Sequence, residues 1–272
     1  MIYLTKTDQA AIKFVNDYVS GCWLDQGDGT SKYQNLSYAS VKNPVSQFRG
    51  FFVDEQHKTC CYCSREIIND HTTELEHIIP RTEERPEVFE RYYQHSDLLR
   101  DNVISQSVFL QATEKQQTPP QPHHVAYHNI VASCNGRTFH TSEDFTCCNR
   151  ARGDHFLPPF NLMENSIGYL PDGTILYLKD LTDRTPFELL NLNKQSLVNI
   201  RRLWYLFSRS ALSISDIVNF NVADLQNKIN EHALVYSPTI TVDLKLAETF
   251  SIPGMWAVFV KYAYFGSYYR NN

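Results

Sequence analysis

Cys60-Cys61-Tyr62-Cys63, Leu75-Glu76-His77-Ile78-Ile79-Pro80, Asn129-Ile130-Val131-Ala132-Ser133-Cys134 and Cys147-Cys148-Asn149-Arg150-Ala151-Arg152 are the four pieces on which the reading of this chain turns. They follow one another as a thiol pair, a carboxylate with a histidine, an asparagine leading to a thiol, and two thiols with a second asparagine. Cys60 and Cys63 form a C-x2-C knuckle, from which two thiolates reach one tetrahedral ion out of a tight turn, at Zn–S distances of about 2.3 Å. A second pair has to come from farther along. Cys134 with Cys148, or with Cys147, supplies it, and Cys61 and one of the adjacent pair are left over. The insert Asn135 to Thr146 makes this second pair wider than the common C-x2-C spacing. Cysteine is also at home in a core as a small hydrophobe. Clustering of thiols around a polar motif is not what core packing alone produces, however, so a structural zinc is expected. A site of four thiolates is closed, which argues against a zinc hydrolase with an open coordination position.

His77 lies in a short β-prone run ended by Pro80. In a strand successive side chains alternate faces, so His77 should share a side with Leu75 and Ile79 while Glu76 points the other way. A lone histidine in such a run is commonly a satisfied structural residue. The flanking thiols and downstream asparagines shift the reading towards a general base.

Net charge is -5, with 25 Lys and Arg against 30 Asp and Glu. Proteins that hold nucleic acid unaided usually carry a basic field, so any phosphate contact here must be local. The stretch from Arg137 to His155 holds Arg137, His140, Arg150, Arg152 and His155, with Glu143, Asp144 and Asp154 interleaved. Arg150 and Arg152 are the candidate phosphate contacts. A membrane-spanning helix needs about 20 apolar residues; the best candidate, Met255 to Phe265, is short and carries Lys261. The first residues lack a basic region followed by an apolar run and a cleavage site. Together with an odd number of clustered thiols, this gives the expectation of a reduced, cytoplasmic protein without a membrane partner.

Along the chain, Thr7 is expected to cap a helix bearing Ala11, Phe14, Val15 and Tyr18 on one face, stopped by Gly21. Gln26 to Ser40 reads as a loop, and Pro44 as the start of a second helix whose Val45, Phe48, Phe52 and Val53 lead into the knuckle. Pro86 to Leu99 is helical in pattern, and Asn102 to Ala112 is mixed. Thr118 to Pro122 breaks any element, which makes the long insert after Pro80 look functional or mobile rather than core. His123, His124 and His128 lie in it, but adjacent histidines point apart, and a second metal site there is not expected. Asn129 to Cys134 should be a strand and Cys148 onward a short helix. Ile167 to Leu178 reads as a hairpin turning at Asp172-Gly173. Leu197, Ile200, Leu203, Trp204 and Phe207 make a helical stripe opposite Arg201, Arg202 and Arg209. Further helices are expected around Leu225 to Leu234, over Val242 to Phe250 and from Pro253-Gly254. Lys261 to Arg270 mixes aromatic and basic residues, suited to core packing, base stacking or docking.

Cys-x-Tyr-Cys, Glu-His-Ile-Ile-Pro, Asn-Ile-Val-Ala-Ser-Cys and Cys-Asn-x-x-Arg-Gly-Asp together resemble the HNH (ββα-metal) nucleases over about positions 57 to 160. That resemblance implies that His77 activates water, that Asn129 braces the loop aiming it, and that Asn149 on the short helix binds a catalytic Mg2+ or Mn2+ with Glu76. Arg152 falls where the family often has lysine. Softer motifs extend the likeness: Phe48 to Cys63, Pro-Asp-Gly-Thr-Ile at 171 to 175, and Leu-Leu-Asn-Leu-Asn at 189 to 193 followed by Arg201 are similar to the HNH subunit of Septu-type and retron-linked anti-phage systems. By that likeness the chain would cut DNA or RNA as the effector beside an ABC-type ATPase. The expected fold is α+β, a zinc-stapled ββα core inside helical regions: 1–56 helical, 57–160 the nuclease core with its inserted loop, and 161–272 mostly helical and used for partner docking. The competing reading is a non-catalytic zinc-binding module for protein or nucleic acid.

Overall fold

The computed structural model describes residues 6–25, 31–33, 38, 45–95, 103–111, 120–136, 146–153, 155, 167–177 and 185–208. They form helices and small two-stranded sheets, an α+β arrangement. The chain divides into two units, one of residues 1–61, 67–135 and 153–164, the other of residues 62–66, 136–152 and 165–272. The helices expected from Leu225 onward, the strip Lys261 to Arg270, and Arg137, His140, Glu143, Asp144, Asp154 and Arg209 lie outside the described residues.

In the first unit, α1 (Gln9–Gly21) is capped by Asp8 and not by Thr7: Asp8 Oδ1 accepts from the amides of Ala10 at 2.8 Å and Ala11 at 3.2 Å. A carboxylate in that place also answers the positive end of the helix dipole. Gly21 is still helical, and the cap falls on Cys22. β1 (Trp23–Asp25) pairs antiparallel with β2 (Ser31–Tyr33), so part of the expected loop 26–40 is strand. α2 (Val45–Glu55) buries Phe48, Phe52 and Val53. Phe14 of α1 stacks on Phe48 at 5.6 Å, Phe48 meets Phe52 edge-on at 5.1 Å, and Phe52 lies 5.6 Å from Tyr127. Phe48, Phe52 and Tyr127 are wholly buried, and each such ring contributes roughly 1.5–3 kcal/mol relative to exposure.

β3 (Thr73–His77) pairs antiparallel with β6 (Ile130–Cys134), Thr73 opposite Cys134 and His77 opposite Ile130. β6 is buried at every residue and α2 packs against it. β3 ends at His77, so the expected alternation onto Ile79 stops there, and Ile78 and Ile79 are both buried. The segment between the two strands is expected to be functional or mobile; among its described residues, several side chains enter the core. α3 (Pro86–His95) turns Phe89 and Tyr92 inward, β4 (Val103–Ile104) pairs parallel with β5 (Gln121–Pro122), and α4 (Gln106–Leu110) buries Phe109. Val125, Ala126 and Tyr127 are wholly buried. Asn129 closes a 3-10 turn, Tyr127–Asn129, just before the strand it was expected to begin.

The second unit holds α5 (Cys148–Arg152), the antiparallel hairpin of β7 (Ile167–Tyr169) and β8 (Ile175–Tyr177), α6 (Thr185–Leu189) and α7 (Gln195–Ser208). The hairpin turns at Asp172-Gly173, as the sequence leads one to expect. Gly173 has φ +86°, and a Cβ there would lie 2.0 Å from the Val198 carbonyl oxygen, so only glycine lets the turn come this close to α7. α6 packs against α5.

Candidate metal and histidine site

α2 delivers the chain to the knuckle through two residues in the left-handed region, His57 at φ +50° and Lys58 at φ +57°. The Ile67 amide donates to the Lys58 carbonyl at 2.8 Å and closes the loop that carries Cys60 and Cys63. Gln56, 1% exposed, fixes that loop to β6: its Nε2 donates to the carbonyls of Thr59 and Ala132 at 2.9 and 2.7 Å, and its Oε1 accepts from the Ala132 amide at 2.7 Å. Sequence reading missed Gln56, because a glutamine after a helix carries no motif.

The ligand atoms of Cys60, Cys63, Cys134 and Cys148 lie within 4.8 Å of one another, and all four residues are buried. An ion bound to four thiolates at about 2.3 Å would hold the sulfurs about 3.8 Å apart, so the spacing fits zinc with little rearrangement. The Cys134 amide donates to Cys60 Sγ at 3.3 Å, a bond that favours the thiolate a metal requires. Cys148, not Cys147, joins the four; Cys147 is buried beside it with Sγ 3.5 Å from Cys148 Sγ. These are the only His, Cys, Asp or Glu groups of three or more among the described residues placed to share an ion.

His77 is 8% exposed, with Nε2 2.9 Å from the carbonyl oxygen of His124. A carbonyl only accepts, so Nε2 carries the proton in the neutral ring and Nδ1 carries the lone pair. Burial pushes His77 down to about 3, opposed by the bond to His124 and reinforced by Arg81. The ring is therefore neutral at neutral pH. Tyr38 meets it edge-on at 4.7 Å, and the Arg81 guanidinium sits 5.5 Å from the Tyr38 ring centre. Burial, with Glu76 adding to it, pushes the Tyr38 hydroxyl up to about 12, so it stays a phenol. Neither neighbour was singled out in the sequence, although Arg81 directly follows Pro80.

Asn129 is wholly buried and uses its amide in three bonds. Its Oδ1 accepts from the Ile79 amide at 2.8 Å, and its Nδ2 donates to the carbonyls of Ile79 at 2.9 Å and His123 at 2.8 Å. His123 in turn donates from Nε2 to the Arg81 carbonyl at 3.1 Å. The residue after His77-Ile78 is thus tied to the residue before His124, whose carbonyl orients His77. Glu76 is half-buried on β3.

Asn149, Arg150 and Arg152 share α5. Asn149 is half-buried and Arg150 exposed. Arg152 corrects the expectation of a phosphate contact: it is 2% exposed, and its Nη1 donates to the Tyr62 hydroxyl at 3.0 Å. A guanidinium engaged in this way braces the knuckle's tyrosine instead of offering a charge to solvent.

The fold and site define an α+β chain with a buried four-cysteine centre, and no described helix is long and apolar enough to cross a membrane. A scan against protein-family models, a search of curated proteins and a search of solved structures each returned no match.

Proposed function

We propose that this chain is a metal-dependent endonuclease of the HNH type, cutting phosphodiester bonds in DNA or RNA around a zinc-stapled ββα core. The observation that carries the reading is the three-bond hold of Asn129 on Ile79 and His123, which sets the His124 carbonyl against His77. A buried asparagine spent wholly on aiming one histidine is an arrangement that proton transfer uses. His77 Nδ1 would take the proton from an attacking water while Nε2 stays on the carbonyl. The burial that keeps the ring neutral also makes it a weak base, and an anionic phosphate beside it raises its proton affinity. Glu76 and Asn149 are the proposed donors for Mg2+ or Mn2+, which when bound supplies charge neutralisation at the phosphate and leaving oxygen. Zinc on Cys60, Cys63, Cys134 and Cys148 is structural in this account.

The likeness to Septu-type nucleases supports an ABC-type ATPase as partner and anti-phage defence as the setting. The net charge of -5 agrees with a nuclease that borrows its grip on nucleic acid. The second reading, a non-catalytic zinc module, is favoured by the inward turn of Arg152 and the deep burial of His77. Cleavage assays of wild type and His77→Ala on duplex DNA, single strands and tRNA, with Mg2+ or a chelator, separate the two. Loss of a general base typically lowers the rate by ~10² to 10⁴. Equal cutting by His77→Ala would remove the base assignment, and no cutting by either protein would favour the module.

A further inference from the structure

Cys148, one of the four thiols placed to hold an ion, has a backbone conformation that cysteine resists. Its φ is +55°, in the left-handed region, where a residue with a Cβ is strained by about 1–2 kcal/mol. Two contacts within the second unit hold it there. The Cys148 amide donates to the Leu190 carbonyl at 2.9 Å, and Asn191 Nδ2 donates to the Thr146 carbonyl at 3.0 Å. Both come from one turn, Leu189-Leu190-Asn191-Leu192-Asn193, in which Asn191 itself has φ +52°, a conformation asparagine accepts more readily than most residues.

That turn is anchored from behind by Arg201, 1% exposed on α7. Arg201 Nη2 donates to the Leu192 carbonyl at 2.8 Å and reaches Asn193 Oδ1 at 3.4 Å, while Nε donates to the Gly173 carbonyl at 2.6 Å. Its guanidinium also lies 4.8 Å from the centre of the Tyr169 ring. Asn193 Oδ1 accepts from the Ile175 amide at 2.9 Å, which ties the turn to the hairpin. Three separate sequence motifs, Pro171 to Ile175, Leu189 to Asn193, and Arg201, therefore meet at one guanidinium. The product of that convergence is a rigid turn with a carbonyl and an amide aimed at residues 146 to 148.

We infer that the Leu189–Asn193 turn, locked by Arg201, is a clamp on the backbone of Cys148 that governs how firmly this thiolate holds zinc. Arg201 and Asn191 are positioning residues in this account. The inference rests on the four-cysteine zinc reading and on nothing in the nuclease chemistry.

The experiment is zinc release from the purified full-length protein into a colorimetric chelator, followed by stopped flow, with far-UV circular dichroism of the loaded proteins alongside. Asn191→Gly keeps a backbone that accepts positive φ and deletes only the side-chain bond. Arg201→Lys keeps the charge and loses the fork. Ser107→Ala, which removes a hydrogen bond to Glu84 in the first unit, is the control. Removing groups that orient a metal ligand typically costs 10–100-fold in metal affinity; zinc release from Asn191→Gly and Arg201→Lys is expected to quicken by roughly 10-fold or more, with wild-type spectra and with Ser107→Ala unchanged. Wild-type release rates in both folded variants would overturn the clamp while leaving the zinc site standing. Loss of the helical spectrum in loaded Asn191→Gly would assign the turn to folding at large and overturn it too. A wild-type protein without zinc would overturn the four-cysteine reading itself.

Discussion

Asn129 ties three backbone groups near His77 together with one side chain. Replacing it by alanine removes three bonds and leaves the Ile79 amide and two carbonyls buried without their partner; at about 1 kcal/mol for each lost bond, the cost is about 3 kcal/mol. Urea unfolding of Asn129→Ala should show that drop, and a change below 1 kcal/mol would mean that the loop holds itself. His77 predicts a pH effect of defined sign. Its folded value, about 3, lies below the ordinary 6.5, so the neutral ring favours the folded state. That contribution is fully present above pH 6.5 and is lost as pH falls towards 3, by up to about 1.4 kcal/mol per pH unit. Between pH 7.5 and 5.5 wild type should therefore lose more unfolding free energy than His77→Gln. Parallel pH dependences would contradict a ring that is buried and neutral. The thiol cluster was legible in the sequence because its chemistry is rare and its knuckle spacing regular; His77 and Asn129 were singled out by their company, and the bonds that join them through His123 and His124 appear only in the structure. The inward turn of Arg152 and the approach of Tyr38 to His77 were not, because sequence order does not encode which way a side chain points.

At the scale of elements, the hairpin of β7 and β8 was legible from Asp172-Gly173 between apolar arms, and α2 and α7 from their apolar stripes. Between Pro80 and Asn129 the helical pattern from Pro86 was legible, and α3 runs Pro86–His95; the burial of Phe89, Tyr92, Phe109 and Tyr127 was not, because length and proline content do not say which rings turn inward. Gly173 lies close against the backbone of α7. A methyl group there would meet the Val198 carbonyl oxygen at 2.0 Å and the Arg202 amide nitrogen at 2.8 Å, and backbone cannot yield as a side-chain tip does. Gly173→Ala should cost at least about 2 kcal/mol, visible as a lowered thermal midpoint. An unchanged midpoint would show that the turn has room to move.

For the whole molecule, the four thiols are the feature that sequence and structure agree on most closely: spacing left Cys147 and Cys148 as alternatives, and the fold brings Cys148 to the other three. Binding of structural zinc contributes an apparent ~10–16 kcal/mol to folding in small sites at neutral pH, so Cys63→Ser should lose metal and solubility together. If the chain works with an ATPase, the pair should elute as one complex, and the chain alone should bind nucleic acid weakly at physiological salt. The most direct test is the zinc X-ray absorption edge of the purified protein. The account predicts one zinc per chain with a pure sulfur shell of four at about 2.3 Å; a protein without zinc, or a shell containing nitrogen or oxygen, would contradict it.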